Sequence, residues 1–183
     1  MKTVTDQSPN NNNLKTLPAV IKRLLMAEAV GAIALSCAPM AHANPTGGEV
    51  AAGAAEIVQQ GARMDINQAS QRAVINWQAF SIDNGEHVNF NQPGRDSATL
   101  NRVAGNDPSA ILGRLTANGS VYLVNRNGIM VGQDAEIDVG SLTATTANIS
   151  NKDFMEGRMN FAEPGNPDAR IINHGSITVQ QGG

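Results

Sequence analysis

The sequence predicts an all-β fold of stacked coils, a parallel β-helix, and three observations carry that prediction. Short strand-like runs alternate with Gly, Pro, Asn and Asp turn chemistry at spacings of roughly 8–12 residues, and no sustained apolar stripe of 3.6-residue period occurs. A Gly-Ser-aliphatic unit recurs as Gly119-Ser120-Val121, Gly140-Ser141-Leu142 and Gly175-Ser176-Ile177, the first two 21 residues apart and the next pair 35 apart. The 183 residues include one Trp, one Tyr and four Phe against 18 Gly, so small and β-branched side chains must fill the interior. Flat stacked layers suit that supply better than a core built on large rings.

The chain begins with an export segment. Residues 1–20 are polar, centred on Asn10 to Asn13, and read as disordered. Lys22-Arg23 close a long n-region (1–23), an apolar run follows from Leu24 to Met40 with Glu28 as its one charge, and Ala41-His42-Ala43 supplies an A-x-A site. That order marks a secretory signal peptide with cleavage after Ala43, and the run is short of the roughly 20 residues that span a bilayer. Residues 44–183 then hold nine basic and 14 acidic groups and no cysteine, since Cys37 lies in the leader. Such a chain crosses an oxidising compartment without forming wrong disulfides. The overall net charge of −3 and the lack of a basic stripe argue against a nucleic-acid partner.

Gly53 to Ile66 is mixed and shows no long period. Ala73 to Ile82 reads as strand throughout, with Phe80 and Ile82 alternating, and Asp83-Asn84-Gly85 makes the next turn. His87-Val88-Asn89-Phe90-Asn91 alternates again and stops at Pro93-Gly94. Leu100 to Val103 and Ile111 to Leu115 are the next strands, separated by a turn at Gly105-Asn106-Asp107-Pro108.

From Thr116 to Gly132 the pattern is sharpest. Asn118-Gly119 and Asn127-Gly128, nine residues apart, bracket the strand Val121 to Asn125, and Asn-Gly supplies positive φ at low cost. Ala135-Glu136-Ile137-Asp138-Val139 follows, with aliphatics on one face and acids on the other. Aligned through their Gly-Ser units, Ala135 to Thr143 matches Ala169 to Thr178 with one inserted residue. A period near twenty makes Asn118, Gly119, Gly140 and Gly175 the coil-turn residues, and Asn148 to Asp168 a polar, Pro/Gly-rich excursion from the coils.

Chemistry-bearing clusters are few. Asp134, Glu136 and Asp138 form an acidic row that suits either Ca²⁺ or a solvated strand face. His87 and His174 lack ligand-spaced neighbours, and no nucleophile-elbow, zinc-protease or phosphate-loop motif occurs. Trp77 and Phe80 suit the helix core or a sugar-stacking face. Asn118, Asn125, Asn127 and Asn173 are candidates for amide ladders between coils.

Taken together, Ile75 to Ile82, Val88 to Pro93, Leu100 to Val103, Ile111 to Leu115 and Ala117 to Ile129 resemble the N-terminal secretion domain of filamentous-haemagglutinin-like exoproteins. These are the passenger half of two-partner secretion in Gram-negative bacteria. The resemblance implies a right-handed parallel β-helix with an N-terminal β cap and extra-helical strands. It also implies a non-enzymatic module without cofactors. Such a module is exported through the general inner-membrane machinery and read by the periplasmic domains of a dedicated outer-membrane transporter. The destination is the medium or the cell surface, where the rest of an adhesin, haemagglutinin or contact-dependent toxin would meet a host or bacterial cell.

The family's Asn-Pro-Asn-Gly-Ile secretion motif falls on Asn125, Arg126, Asn127, Gly128 and Ile129, with Arg in place of Pro, and its companion Asn-Pro-Asn-Leu motif is missing. Pro would pre-set the turn; Arg126 leaves it less constrained, and the expectation is a tolerated fold with recognition at most weakened. The coil pattern stops at Gly183, which reads as an incomplete secretion domain. Two other readings are a polysaccharide-active β-helix enzyme, for which the acidic row is the only support, and a non-functional truncated copy.

Overall fold

The computed structural model describes residues 44–180; the leader and its cleavage site after Ala43 lie outside the described residues. Within them the chain forms β1 (Glu49–Ala52), β2 (Ala55–Gln60), β3 (Arg63–Gln68), β4 (Arg72–Trp77), β5 (His87–Asn91), β6 (Ala98–Val103) and β7 (Ser109–Ile111). It continues with β8 (Arg114–Ala117), β9 (Ser120–Asn125), β10 (Ile129–Val131), β11 (Glu136–Val139), β12 (Ser141–Thr145), a one-turn helix α1 (Asn151–Met155), β13 (Ile171–Asn173) and β14 (Ser176–Val179).

Three sheets run along a parallel β-helix, with strand orders β1-β4-β6-β9-β12, β13-β10-β7 and β14-β11-β8-β5-β3-β2. Each coil visits the three in turn, as β8, β9 and β10 do before β11 stacks on β8 in parallel. Stacked positions recur after 22 residues between β6 and β9 (Ala98 and Ser120) and after 21 between β9 and β12 (Ser120 and Ser141).

Alternation fixes what faces inward. Met64, Val88, Leu115 and Ile137 stack as one aliphatic column through successive registers. A slip of one residue would turn that whole column to solvent, at about 1.5–3 kcal/mol for each large side chain, so the register is strongly specified. Trp77 and Phe80 sit in this core, edge to face at 5.5 Å, and the indole N–H donates to the buried Asn101 Oδ1 at 3.0 Å.

Five sequence expectations need correction. The strand from Ala73 ends at Trp77, because the next residues turn inward to bury Phe80 and Ile82; Ile82 makes only an isolated parallel bridge to Ile111. The mixed stretch around Gly53 to Ile66 is an antiparallel hairpin, β2 and β3, turned at Gly61 with φ +58. With β1, antiparallel to β4, this hairpin caps the first coil.

The third correction concerns the repeat. Gly140-Ser141 does stack on Gly119-Ser120, but Gly175-Ser176 does not continue that column. Instead β13 pairs with β10 (Ile129 with Ile171) and β14 with β11 (Glu136 with Ser176), so Gly175 turns a different corner, above Gly132 and Ala135. Both corners demand glycine for the same reason: a Cβ would strike the carbonyls of the coil beneath. At Gly140 it would lie 2.8 Å from Gly119 O, and at Gly175 2.5 Å from Gly132 O.

The fourth is Asn118-Gly119, whose backbone has no positive φ; Gly119 is needed for closeness to Ser97 O and Gly94 O, not for handedness. The fifth is the amide ladder. Asn118 clasps the Gln92 backbone (N–H to Oδ1 2.7 Å, Nδ2 to O 2.8 Å) instead of another amide, while Asn91 Nδ2 to Asn67 Oδ1 (2.8 Å) is an amide rung between coils.

The excursion from Asn148 to Asp168 is an extra-helical segment. Its Asn148–Glu163 bridge and helix α1, capped by Ser150, lie over the outer face of the β4-β6-β9 sheet. That face is apolar at Val74, Leu100 and Val124, and Ile149 and Phe154 bury against it. Tyr122 meets Phe154 edge to face at 5.2 Å and stacks on Phe161 at 6.5 Å.

Candidate functional site

Asn125 to Ile129 forms the corner between β9 and β10. Asn125 is fully buried: its Nδ2 donates to Asp107 O and Ser109 Oγ, both at 3.0 Å, and its Oδ1 accepts the Asn127 N–H at 2.9 Å. The Gly128 N–H returns to Asn125 O at 3.1 Å and closes the turn. Gly128 takes φ +116, in the region that favours glycine, and a Cβ there would lie 2.8 Å from Arg170 O. Ile129 drops into the core, and its N–H donates to Arg170 O at 3.0 Å. The side-chain bond from Asn125 thus supplies the constraint a proline would have supplied through φ, and the corner forms with Arg126 in place.

The outward half of the corner is different. Asn127 Nδ2 reaches Gly105 O in the coil below at 2.9 Å, and its Oδ1 accepts from Asn166 of the excursion at 2.6 Å. Arg126 is exposed, and its guanidinium makes one long hydrogen bond, Nη2 to Pro164 O at 3.5 Å. Between corner and excursion opens a polar cleft of about 360 Å³, bordered by Arg102, Gly105, Asn106, Arg126, Asn127 and Asn166.

Arg102, which the sequence suggests is one of several scattered arginines on a solvated surface or at a partner contact, instead ties this region together. Its Nε donates to Asn148 Oδ1 (2.7 Å), its Nη1 to Asn76 Oδ1 (3.0 Å) and Asn151 Oδ1 (2.8 Å), and its Nη2 to Ile149 O (2.6 Å). Every acceptor is neutral, and burial lowers the Arg102 pKa from its ordinary value, partly opposed by the Glu163 charge. The signal in the sequence was one cation inside an otherwise uncharged strand, Ala98 to Val103.

The other sequence candidates fall elsewhere. Gly119, Gly140 and Asn118 line one corner and Gly175 another, as described above. Glu136 and Asp138 face outward on β11, and among the described residues no group of three or more His, Cys, Asp and Glu is placed to hold a metal ion. His87 belongs to an outer-face network: Arg63 Nη1 lies 2.9 Å from its Nδ1, so the proton sits on Nε2 and is donated to Thr116 Oγ1 at 2.7 Å. Thr116 donates in turn to Asn89 Oδ1 at 2.7 Å, and Asn89 Nδ2 to Asp65 Oδ1 at 3.0 Å. Burial, then the Arg63 and Arg114 charges, lower the His87 pKa.

A family model described as the TPS secretion domain matches residues 41–183. Over 136 residues the chain is 38% identical to the heme/hemopexin-binding protein of Haemophilus influenzae strain Rd, covering 74% of this chain and 14% of that protein. A second Haemophilus influenzae protein of that name is 46% identical over 87 residues, 48% of this chain and 9% of its own length. The chain therefore spans about a seventh or less of these relatives. The crystal structure of the HMW1 secretion domain from Haemophilus influenzae superposes with a TM-score of 0.68 at 40% identity, covering 74% of this chain and 37% of that one. Coil order, antiparallel cap and family match agree: the chain belongs to the TPS secretion domains, the two-partner secretion modules of large exoproteins.

Proposed function

We propose that the corner Asn125 to Ile129 is the surface that a dedicated outer-membrane transporter reads through its periplasmic domains. The observation that carries this reading is the division of labour within the corner. Folding locks Asn125 and Ile129 inside and leaves Arg126 and Asn127 at a solvent-open cleft, so the five residues are open to a partner together only before the coils close. After passage through the inner membrane, a chain not yet coiled presents unpaired strand edges, and the periplasmic domains can pair with these by β-augmentation. Closure of the coils outside the cell then opposes return. The module heads a secreted or cell-surface exoprotein of a Gram-negative bacterium, and the adhesive, toxic or ligand-binding part lies in the remainder of that exoprotein.

Export of the full chain in a Gram-negative host with its transporter tests the reading. The Asn127→Ala variant is expected to accumulate in the periplasm while still unfolding cooperatively, a few degrees below the wild type for the lost bonds to Gly105 and Asn166. Undiminished export of this variant would refute the assignment.

A further inference from the structure

We propose that Asn84 is a site of spontaneous covalent modification, losing its side-chain amide through attack by the backbone nitrogen of Gly85, and that the fold withholds the same reaction from Asn118 and Asn127. The modification belongs to the closed coils and is independent of how a transporter reads the chain.

Asparagine is chemically labile, most of all before glycine, which has no side chain to hinder its own amide nitrogen. The sequence holds three such pairs, Asn84-Gly85, Asn118-Gly119 and Asn127-Gly128. The reaction needs two groups free: the asparagine Cγ as electrophile and the following backbone nitrogen as nucleophile. That nitrogen gives its proton to solvent base and bonds to Cγ, while the bond from Cγ to the amide nitrogen breaks and ammonia leaves with a proton from water. The resulting five-membered imide takes up one water at either carbonyl, giving aspartate or its β-linked isomer. Nothing is oxidised or reduced.

At two of the pairs the fold ties down both groups. The Asn118 amide is held on the Gln92 backbone through Oδ1 and Nδ2, and the Gly119 N–H donates to Gln92 Oε1 at 2.9 Å. The Asn127 amide is held between Gly105 O and Asn166 Nδ2, and the Gly128 N–H donates to Asn125 O at 3.1 Å.

Asn84-Gly85 differs in each respect. Both residues are exposed, and nothing lies within 4 Å of the place a Cβ would take on Gly85. Among the described residues neither the Asn84 amide nor the Gly85 N–H has a hydrogen-bond partner. The turn is closed by its flanks instead, with the Glu86 N–H on Asp83 O at 3.0 Å and the Asp83 N–H on Glu86 Oε2 at 2.8 Å. Those flanks are pinned to the next coil, since Ile82 O accepts the Leu112 N–H at 2.7 Å and Glu86 O the Arg114 N–H at 2.9 Å. The β-linked product therefore inserts one extra backbone atom between fixed ends.

The test is incubation of the folded full chain in mildly alkaline buffer at body temperature, beside the same chain in concentrated urea. Peptide mapping by mass spectrometry follows the amide-to-acid conversion at each pair. In the folded chain Asn84 is expected to convert at least about tenfold faster than Asn118 or Asn127, which react only when their corners open. In urea the three rates should lie within about threefold of one another, because the bonds that separate them are gone. Asn84→Gln should abolish the folded-state conversion at that position, since attack would then have to close a larger ring. Equal rates at the three pairs in the folded chain, or a faster rate at either corner, would overturn the assignment. So would an intact Asn84 in the folded chain once the urea sample has converted.

Discussion

Replacing Gly119 with alanine tests the stacking of the coils most directly. The new Cβ would lie 2.7 Å from both Gln92 Oε1 and Ser97 O, and 2.9 Å from Gly94 O. Two of these are backbone carbonyls of the coil below, and the third already accepts the Gly119 N–H at 2.9 Å. Gln92 can withdraw only by leaving that buried N–H unpaired, and it also holds Thr99 Oγ1 at 3.0 Å through Nε2. Overpacking costs about 1–3 kcal/mol, and a stranded buried donor about 1–3 kcal/mol more. The sum, about 2–6 kcal/mol, is a large share of the roughly 5–15 kcal/mol typical of a domain. At a urea slope of about 1–3 kcal/mol per M it should lower the unfolding midpoint by about 1 M or more. Gly94→Ala is the control, since nothing lies within 4 Å of the place its new methyl would take and its φ is not positive; it should stay within about 0.5 kcal/mol of wild type. A Gly119→Ala midpoint equal to that of wild type, or an equal loss at Gly94, would refute the argument.

Two further outcomes follow from the charged networks. His87 has a folded pKa below its unfolded value, so the unfolded chain binds the proton more readily. Its contribution is complete above the unfolded pKa of about 6.5 and declines as pH falls toward the lower folded value. Urea midpoints measured between pH 7.5 and about 5 should drop more steeply for wild type than for His87→Gln, and parallel curves would count against the Arg63–His87–Thr116 arrangement. Arg102→Met should loosen residues 148–163, seen as faster proteolysis and amide exchange there, while β5 to β11 keep their protection; uniform loss of protection would show the clamp to be part of the coil core instead.

Much of this fold was legible because parallel stacking repeats one physical demand at one spacing. Gly119 and Gly140 could be paired from sequence since no insertion separates their coils and each must pass close to a carbonyl. Gly175 misled for the same reason: another corner imposes the same demand, and the excursion had broken the period before it. The β2–β3 hairpin was hidden because its turn, Gly61-Ala62 between the paired Gln60 and Arg63, carries one glycine and none of the usual Asn-Gly or Pro-Gly signals. At the corner, the motif residues were visible, but which of them face inward was not. Asn125 is buried because Ser109 and Asp107, from the preceding coil, arrive to satisfy it, and no local pattern announces such a partner.

The antiparallel cap gives the coils an order in time as well as in space. Its hairpin joins residues at most 13 apart, Ala55 with Gln68, whereas every later rung must close a loop of some twenty residues or more before gaining a contact. The hairpin is therefore the cheapest nucleus, and each finished coil offers an open parallel edge on which only the next stretch of chain can be laid. Exchange-quench labelling during refolding should find β2 and β3 protected before β9 and β12. The part of the chain that is synthesised first is thus also the part able to start folding.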